Sequence, residues 1–137
     1  MADTDEVLAA DETFFAALNA IFQGDIAPME KLWSHQSDVI YMGPQPDLFE
    51  IGWKVTDADW IKQAAMKLSG SIEVVDRHMT ISGDMAVVHH RARSSNLDQS
   101  GAPVTFTMRG TNVFRREGGT WKMIAHHSDP LPFSLGL

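Results

Sequence analysis

The 137-residue chain has a formal net charge of −7 and no cysteine, so one domain of ordinary size is expected, without disulfides, thiolate nucleophiles or cysteine-ligated zinc. The acidic balance, with no stripe of basic residues among aromatics, argues against nucleic acid as a partner. No apolar run approaches the roughly 18–20 residues of a membrane-spanning helix, and the start MADTDEVLAA is acidic where a secretion signal would be basic, so a cytoplasmic protein without membrane attachment is expected.

Along the chain, Val7, Leu8, Phe14, Phe15, Leu18, Ile21 and Phe22 recur at helical spacing and predict a first helix over 5–22, capped by Thr4 or Asp5 and stopped at Gly24. A short second helix fits 28–34, with Pro28 in its first turn. Asp38–Met42 reads as a strand, and the stretch GPQPDLFEIGW as a loop. TDADWIKQAAMKL reads as a third helix with Thr56 as N-cap. From residue 71 the period changes to two. SIEVVDRHMTI, MAVVHHRARSS, VTFTMRGTNVFRR and TWKMIAHHS read as strands joined by hairpin turns. Helices first and hairpins afterwards predict an α+β fold: three N-terminal helices packed on a strongly curved, mostly antiparallel sheet. A single domain is expected over 1–137, with its core at about 5–130. In the tail after Asp129, Leu131, Phe133 and Leu135 are expected to cover the sheet, a pocket mouth or a second subunit.

The element order, the segment LWSHQSDVIYMGP with Gly52–Trp53, and the hairpin MRGTNVFRREGGTWKMIAHHSDP resemble the SnoaL-like branch of the nuclear transport factor two-like superfamily. Ketosteroid isomerase and the association domain of a calmodulin-dependent kinase share that fold. The resemblance covers roughly residues 5–130. It implies a cone-like barrel with an internal, mostly apolar pocket, and a homodimer formed through the outer face of the sheet. By the resemblance, Arg109, Thr111, Trp121, His127 and Asp129 match the motif. The family's usual His-Arg-His stands here as Ala125–His126–His127, so its first histidine is missing.

Side chains alternate across a strand. Arg109, Thr111, Val113 and Arg115 therefore share one face of their strand. Trp121, Met123, Ala125, His127 and Asp129 share one face of the next. A turn at Glu117–Gly119 places Arg109 opposite His127. His127 is the candidate proton shuttle, Arg109 the cation for a carboxylate or enolate, and Asp129 the group that orients the imidazole. The other face of the Arg109 strand carries Phe106, Met108 and Phe114 and is the more apolar. Alternation does not choose between the faces if a dimer buries both, and a bulge at Gly110 would switch them. Candidate ligand-binding residues are Trp33, Tyr41, Met42, Trp53 and Trp60 as walls or rim, with His89, Arg91, Arg93 and Thr111 on the strands. Neighbouring strand residues diverge, so neither His89–His90 nor His126–His127 can chelate one ion, and no metal or other cofactor is expected.

Three functions remain open at this level. One is a cofactor-independent isomerase, dehydratase or cyclase acting on a small apolar or anionic metabolite. The second is a dimer that binds such a metabolite without turning it over. The third is an association module.

Overall fold

The computed structural model describes residues 2–43, 47–98 and 100–130. The expectations for the apolar tail, and for Pro44 and Pro46, fall outside these residues. Three helices, α1 (Ala2–Phe22), α2 (Ala27–Leu32) and α3 (Trp53–Met66), lie against one six-stranded sheet. Its strands are β1 (Ile40–Met42), β2 (Glu50–Ile51), β3 (Ser71–Ser82), β4 (Met85–Leu97), β5 (Pro103–Glu117) and β6 (Thr120–Pro130). The strand order is β2-β1-β6-β5-β4-β3. All pairs are antiparallel except β1 with β6, which puts Tyr41 beside His126. The sheet is open, with β2 and β3 as its edges, so it does not close into a barrel.

Local chemistry sets the helix ends. Gly24 takes φ +94° after α1. Its N–H bonds Ile21 O at 2.9 Å and that of Asp25 bonds Ala20 O at 2.9 Å, a Schellman stop that only glycine enters without strain. Thr56 is not a cap. The third helix begins at Trp53, after Gly52 at φ +100°. The N–H of Gly52 donates to Val39 O and that of Trp53 to Gln36 O, so tertiary contacts start the helix a turn early. Thr56 is thereby buried inside it. The short strand β2 lies in what the sequence presents as a loop, because a two-residue strand has too little pattern to read.

The core lies between helices and sheet. Phe14, Phe15 and Ile21 of α1, Trp60 of α3, Met29 of α2, and Val88, Ala92, Phe114 and Met123 of the sheet are all buried. Burying one such large apolar side chain stabilises by about 1.5–3 kcal/mol. Asn19 clamps α1 to the edge strand, accepting from Ile72 N at 2.7 Å and donating to Ile72 O at 3.2 Å. That satisfies an edge position and blunts it against pairing with another chain. At the other end, Arg115 on β5 bonds Asp38 and Glu117 and so ties the β1 approach to the β5–β6 hairpin. Among the described residues, no helix is long and apolar enough to cross a membrane.

Two irregularities decide which side chains face inward. The register shifts between Val74 and Asp76 on β3, and between Val113 and Phe114 against β6. Phe114 pairs with Met123 and Val113 with Ala125, so Ile124 is the extra residue on β6. Each bulge reverses the side-chain parity of the residues beyond it. Past Val75, Arg77 turns toward the helices; past Ile124, His126 and Ser128 do.

Candidate functional site

A chain of four polar side chains runs beneath α1, drawn from four elements. Asp11, on α1, is fully buried. It accepts from Arg77 Nε at 2.6 Å and from Asn112 Nδ2 at 2.8 Å. Asn112, on β5, is also fully buried, and its Oδ1 lies 2.6 Å from His126 Nδ1. A buried carboxylate is tolerable only when paired and hydrogen-bonded, and Asp11 is both. The network also orients itself. A carboxylate only accepts, so Asn112 turns its NH2 to Asp11 and its carbonyl to His126. His126 therefore carries its hydrogen on Nδ1, and Nε2 keeps a lone pair.

His126 is one wall of a cavity of about 250 Å³ between helices and sheet. Phe14, Phe15, Leu18 and Phe22 of α1, Leu68, Ile72, Phe106 and Met108 form most of its apolar lining. Tyr41, Gln63, Ser94, Asn96 and Ser128 add uncharged polar groups, and no Lys, Arg, Asp or Glu lines it among the described residues. Burial pushes His126 down to about 3, and the neighbouring His90 and His127 act the same way. The imidazole is thus neutral at physiological pH. Phe14, with its ring centroid 4.7 Å away, packs against it. Tyr41 accepts a hydrogen bond from Gln63 Nε2 at 2.6 Å, which leaves its own O–H to donate, and burial raises its pKa. Neutral acceptor and neutral donor thus stand near each other, their rings stacked 5.9 Å apart.

His90 is the second histidine of the cavity wall, its ring parallel to that of His126 at 6.4 Å. Burial lowers its pKa, against the pull of Asp11. Its place depends on Gly110 directly across the ladder: a Cβ there would lie 2.5 Å from His90 Nε2.

The opposite face of the sheet carries a broader, open groove of about 540 Å³. Two cross-strand rows build it, Asp76–Arg91–Arg109–Asp129 and His78–His89–Thr111–His127. Arg91 pairs with Asp76 at 2.5 Å, and His127 with Asp129. All four of these side chains are substantially solvent-exposed, so water screens their charges.

A family model for the SnoaL-like domain matches residues 11–132. The chain belongs to the SnoaL-like family. Among solved structures, an NTF2-like protein of Streptomyces avermitilis provisionally called a dehydratase is 24% identical, with a TM-score of 0.79, and 96% of this chain covers 98% of it. An NTF2-like protein of unknown function from Pseudomonas putida is 23% identical, with a TM-score of 0.78 over 98% of this chain and 92% of its own. A Novosphingobium aromaticivorans NTF2-like protein with a cystatin-like fold is 17% identical, with a TM-score of 0.75 over 98% and 85%. These likenesses establish the fold and leave the chemistry open. No curated protein matches the sequence.

In this SnoaL-like chain, Arg109, His127 and Asp129 do come together, as read from the sequence, but in the outer groove and not in the cavity. Arg109 pairs with Asp129, and Thr111 with His127, because the turn is shorter than assumed and β6 carries an extra residue. Gly110 is not a bulge; it pairs regularly with His90 and Ser128. Trp121 and Met123 are buried on the helix side, so they do not share a face with His127 and Asp129. The apolar face of Phe106, Met108 and Phe114 is the inner one.

His89, Arg91 and Thr111 line the same outer groove, and Arg93 is exposed on that face. Tyr41 and Trp60 line the cavity as expected. Trp33 is buried behind them, 6.2 Å from Trp60, and belongs to the core. Trp53 stacks on His35 at 4.4 Å, away from the cavity lining, and Met42 pairs with His127 on the outer side. Asn112, Asp11 and Gln63 escaped the sequence reading, and His126 entered it only as half of a pair unable to chelate one ion. Asp11 in an otherwise apolar stripe of α1, and Asn112 amid β-branched and aromatic residues, were the available signals.

Proposed function

We propose that the protein takes a small, uncharged, largely apolar metabolite into the cavity between helices and sheet, and that His126 moves a proton on it. The reaction is of the isomerase or dehydratase kind and needs no cofactor. The observation that carries this reading is His126 itself: a neutral imidazole, its tautomer held through Asn112, with Nε2 as the acceptor at an apolar wall. The Nε2 lone pair takes the proton. The Nδ1–H bond to Asn112, and through it Asp11, steadies the cation formed. The Tyr41 O–H supplies a donor for charge developing on a substrate oxygen. The cavity replaces the Arg109–His127–Asp129 groove as the site, and it favours an uncharged guest over an anionic one because no Lys or Arg lines it among the described residues.

Deuterium exchange tests this without knowledge of the full reaction. The protein is incubated in heavy water with a panel of small cyclic ketones, and loss of the α-hydrogen signal is followed. Exchange is expected for ketones that bind, and His126→Gln is expected to slow it by about 100-fold or more, the usual contribution of a positioned base. Equal rates in both proteins would remove His126 from catalysis. A non-catalytic ligand-binding role is the second reading, favoured by the low pKa of His126, which makes it a weak base. It predicts binding without exchange. We place the homodimer contact on the outer sheet face, where Val87, Val113 and Ala125 are half-buried in the single chain and Met85 is exposed. Arg109→Glu is then expected to shift the mass in light scattering toward monomer.

A further inference from the structure

We infer that the cavity selects its guest by a hydroxyl: the ligand is an uncharged alcohol, enol or phenol on an apolar ring skeleton, and its O–H donates to His126 Nε2. This deepens the proposed function and rests on the cavity being the ligand site.

The selection starts at the far end of the polar chain. Arg77 holds Asp11 at 2.6 Å. Asp11, an acceptor only, compels the Asn112 amide to present NH2 to it at 2.8 Å. The amide oxygen then faces His126 Nδ1 at 2.6 Å and takes its hydrogen. Each link permits one orientation of the next, so the side of His126 that meets the cavity can only accept. A ligand carbonyl or ether at that point would set two acceptors against each other. A ligand O–H gives His126 Nε2 a donor at that point; His90 Nδ1 and Trp60 Nε1, on two other lining residues, are also without a partner among the described residues. A charged ligand is disfavoured independently, since no ionic side chain lines the cavity among the described residues and a buried unpaired charge is costly. Both ends of this chain face inward only because β3 and β6 each carry a bulge upstream of them.

Three naphthalene probes of similar shape and one anion make the test. 2-Naphthol, naphthalene, 2-methoxynaphthalene and 2-naphthoate are titrated at pH 7, with the methyl resonances of Leu18, Ile72 and Met108 reporting occupancy of the cavity. 2-Naphthol is expected to bind at least about fivefold more tightly than naphthalene or its methyl ether, the lower end of what an unmatched buried polar group costs, and 2-naphthoate more weakly than any. In Asn112→Leu, the imidazole is free to change tautomer, and the 2-naphthol preference is expected to fall below about twofold. Nitrogen-15 correlation spectra of the unmutated protein check the premise without any variant: His126 Nδ1 is expected to carry the hydrogen. The opposite tautomer, or equal affinities for naphthol and its ether, overturns the hydroxyl rule while leaving the cavity as a binding site. Failure of every probe to shift the cavity methyl groups overturns the cavity reading and this inference together.

Discussion

Asp11 and Asn112, separated by 101 positions in the chain, meet through a 2.8 Å hydrogen bond with both side chains fully buried. One sits on α1 and the other on β5, so the bond is also a joint between the two layers of the fold. Removing Asp11 strands the Arg77 guanidinium and the Asn112 NH2. Loss of one partner from a buried pair costs roughly 3–5 kcal/mol, and Arg77 keeps some access to water, so Asp11→Ala is expected to cost about 3 kcal/mol. Urea unfolding measures it. A loss below about 1 kcal/mol would show that the joint contributes little.

Gly110 is required by the side chain that stands opposite it. An alanine Cβ would fall 2.5 Å from His90 Nε2 and 2.7 Å from the backbone oxygen of His127. The side chain could yield but the carbonyl could not without moving the β6 ladder. Gly110→Ala is expected to destabilise by about 1–3 kcal/mol, the usual cost of overpacking, and to displace His90 from the cavity wall. Thermal unfolding together with the chemical shifts of His90 checks both parts.

Acid should weaken the fold through His126. Its pKa falls from an ordinary 6.5 to about 3 in the folded protein, because burial disfavours the imidazolium. The unfolded chain then binds the proton more readily over that window, so stability is full above about 6.5 and declines as pH drops toward 3. The slope from this one group is at most about 1.4 kcal/mol per pH unit. His90 shifts in the same direction and adds to it. His126→Phe is expected to flatten the dependence between pH 6 and 4, roughly the middle of that window. An unchanged slope in denaturant titrations would mean that His126 ionises freely when folded.

The two faces of the sheet should be functionally separable. Arg109→Ala and His127→Ala are expected to leave 2-naphthol affinity within about twofold, since neither residue lines the cavity, whereas His126→Phe removes the acceptor and should lower it by about tenfold. Titration calorimetry on the three variants decides the matter. A large loss in Arg109→Ala would return the ligand site to the outer groove.

The architecture is legible in the chain alone. The 3.6-residue spacing of Phe14, Phe15, Leu18 and Phe22, the glycine stop at Gly24, the change to a period of two after residue 71, and the Gly118–Gly119 turn are local signals, and local sterics and apolar burial act on them directly. The motif also identified the last hairpin as the place where polar residues gather. Which of them face the cavity was set by long-range packing. Alternation carries a side-chain assignment along a strand only while the ladder is unbroken, and one extra residue at Ile124 exchanges His127 for His126 on the inner face. The same event at Val75 turns Arg77 inward to meet Asp11. A bulge is settled by packing against the helices and by register with the neighbouring strand, interactions between residues far apart in the chain.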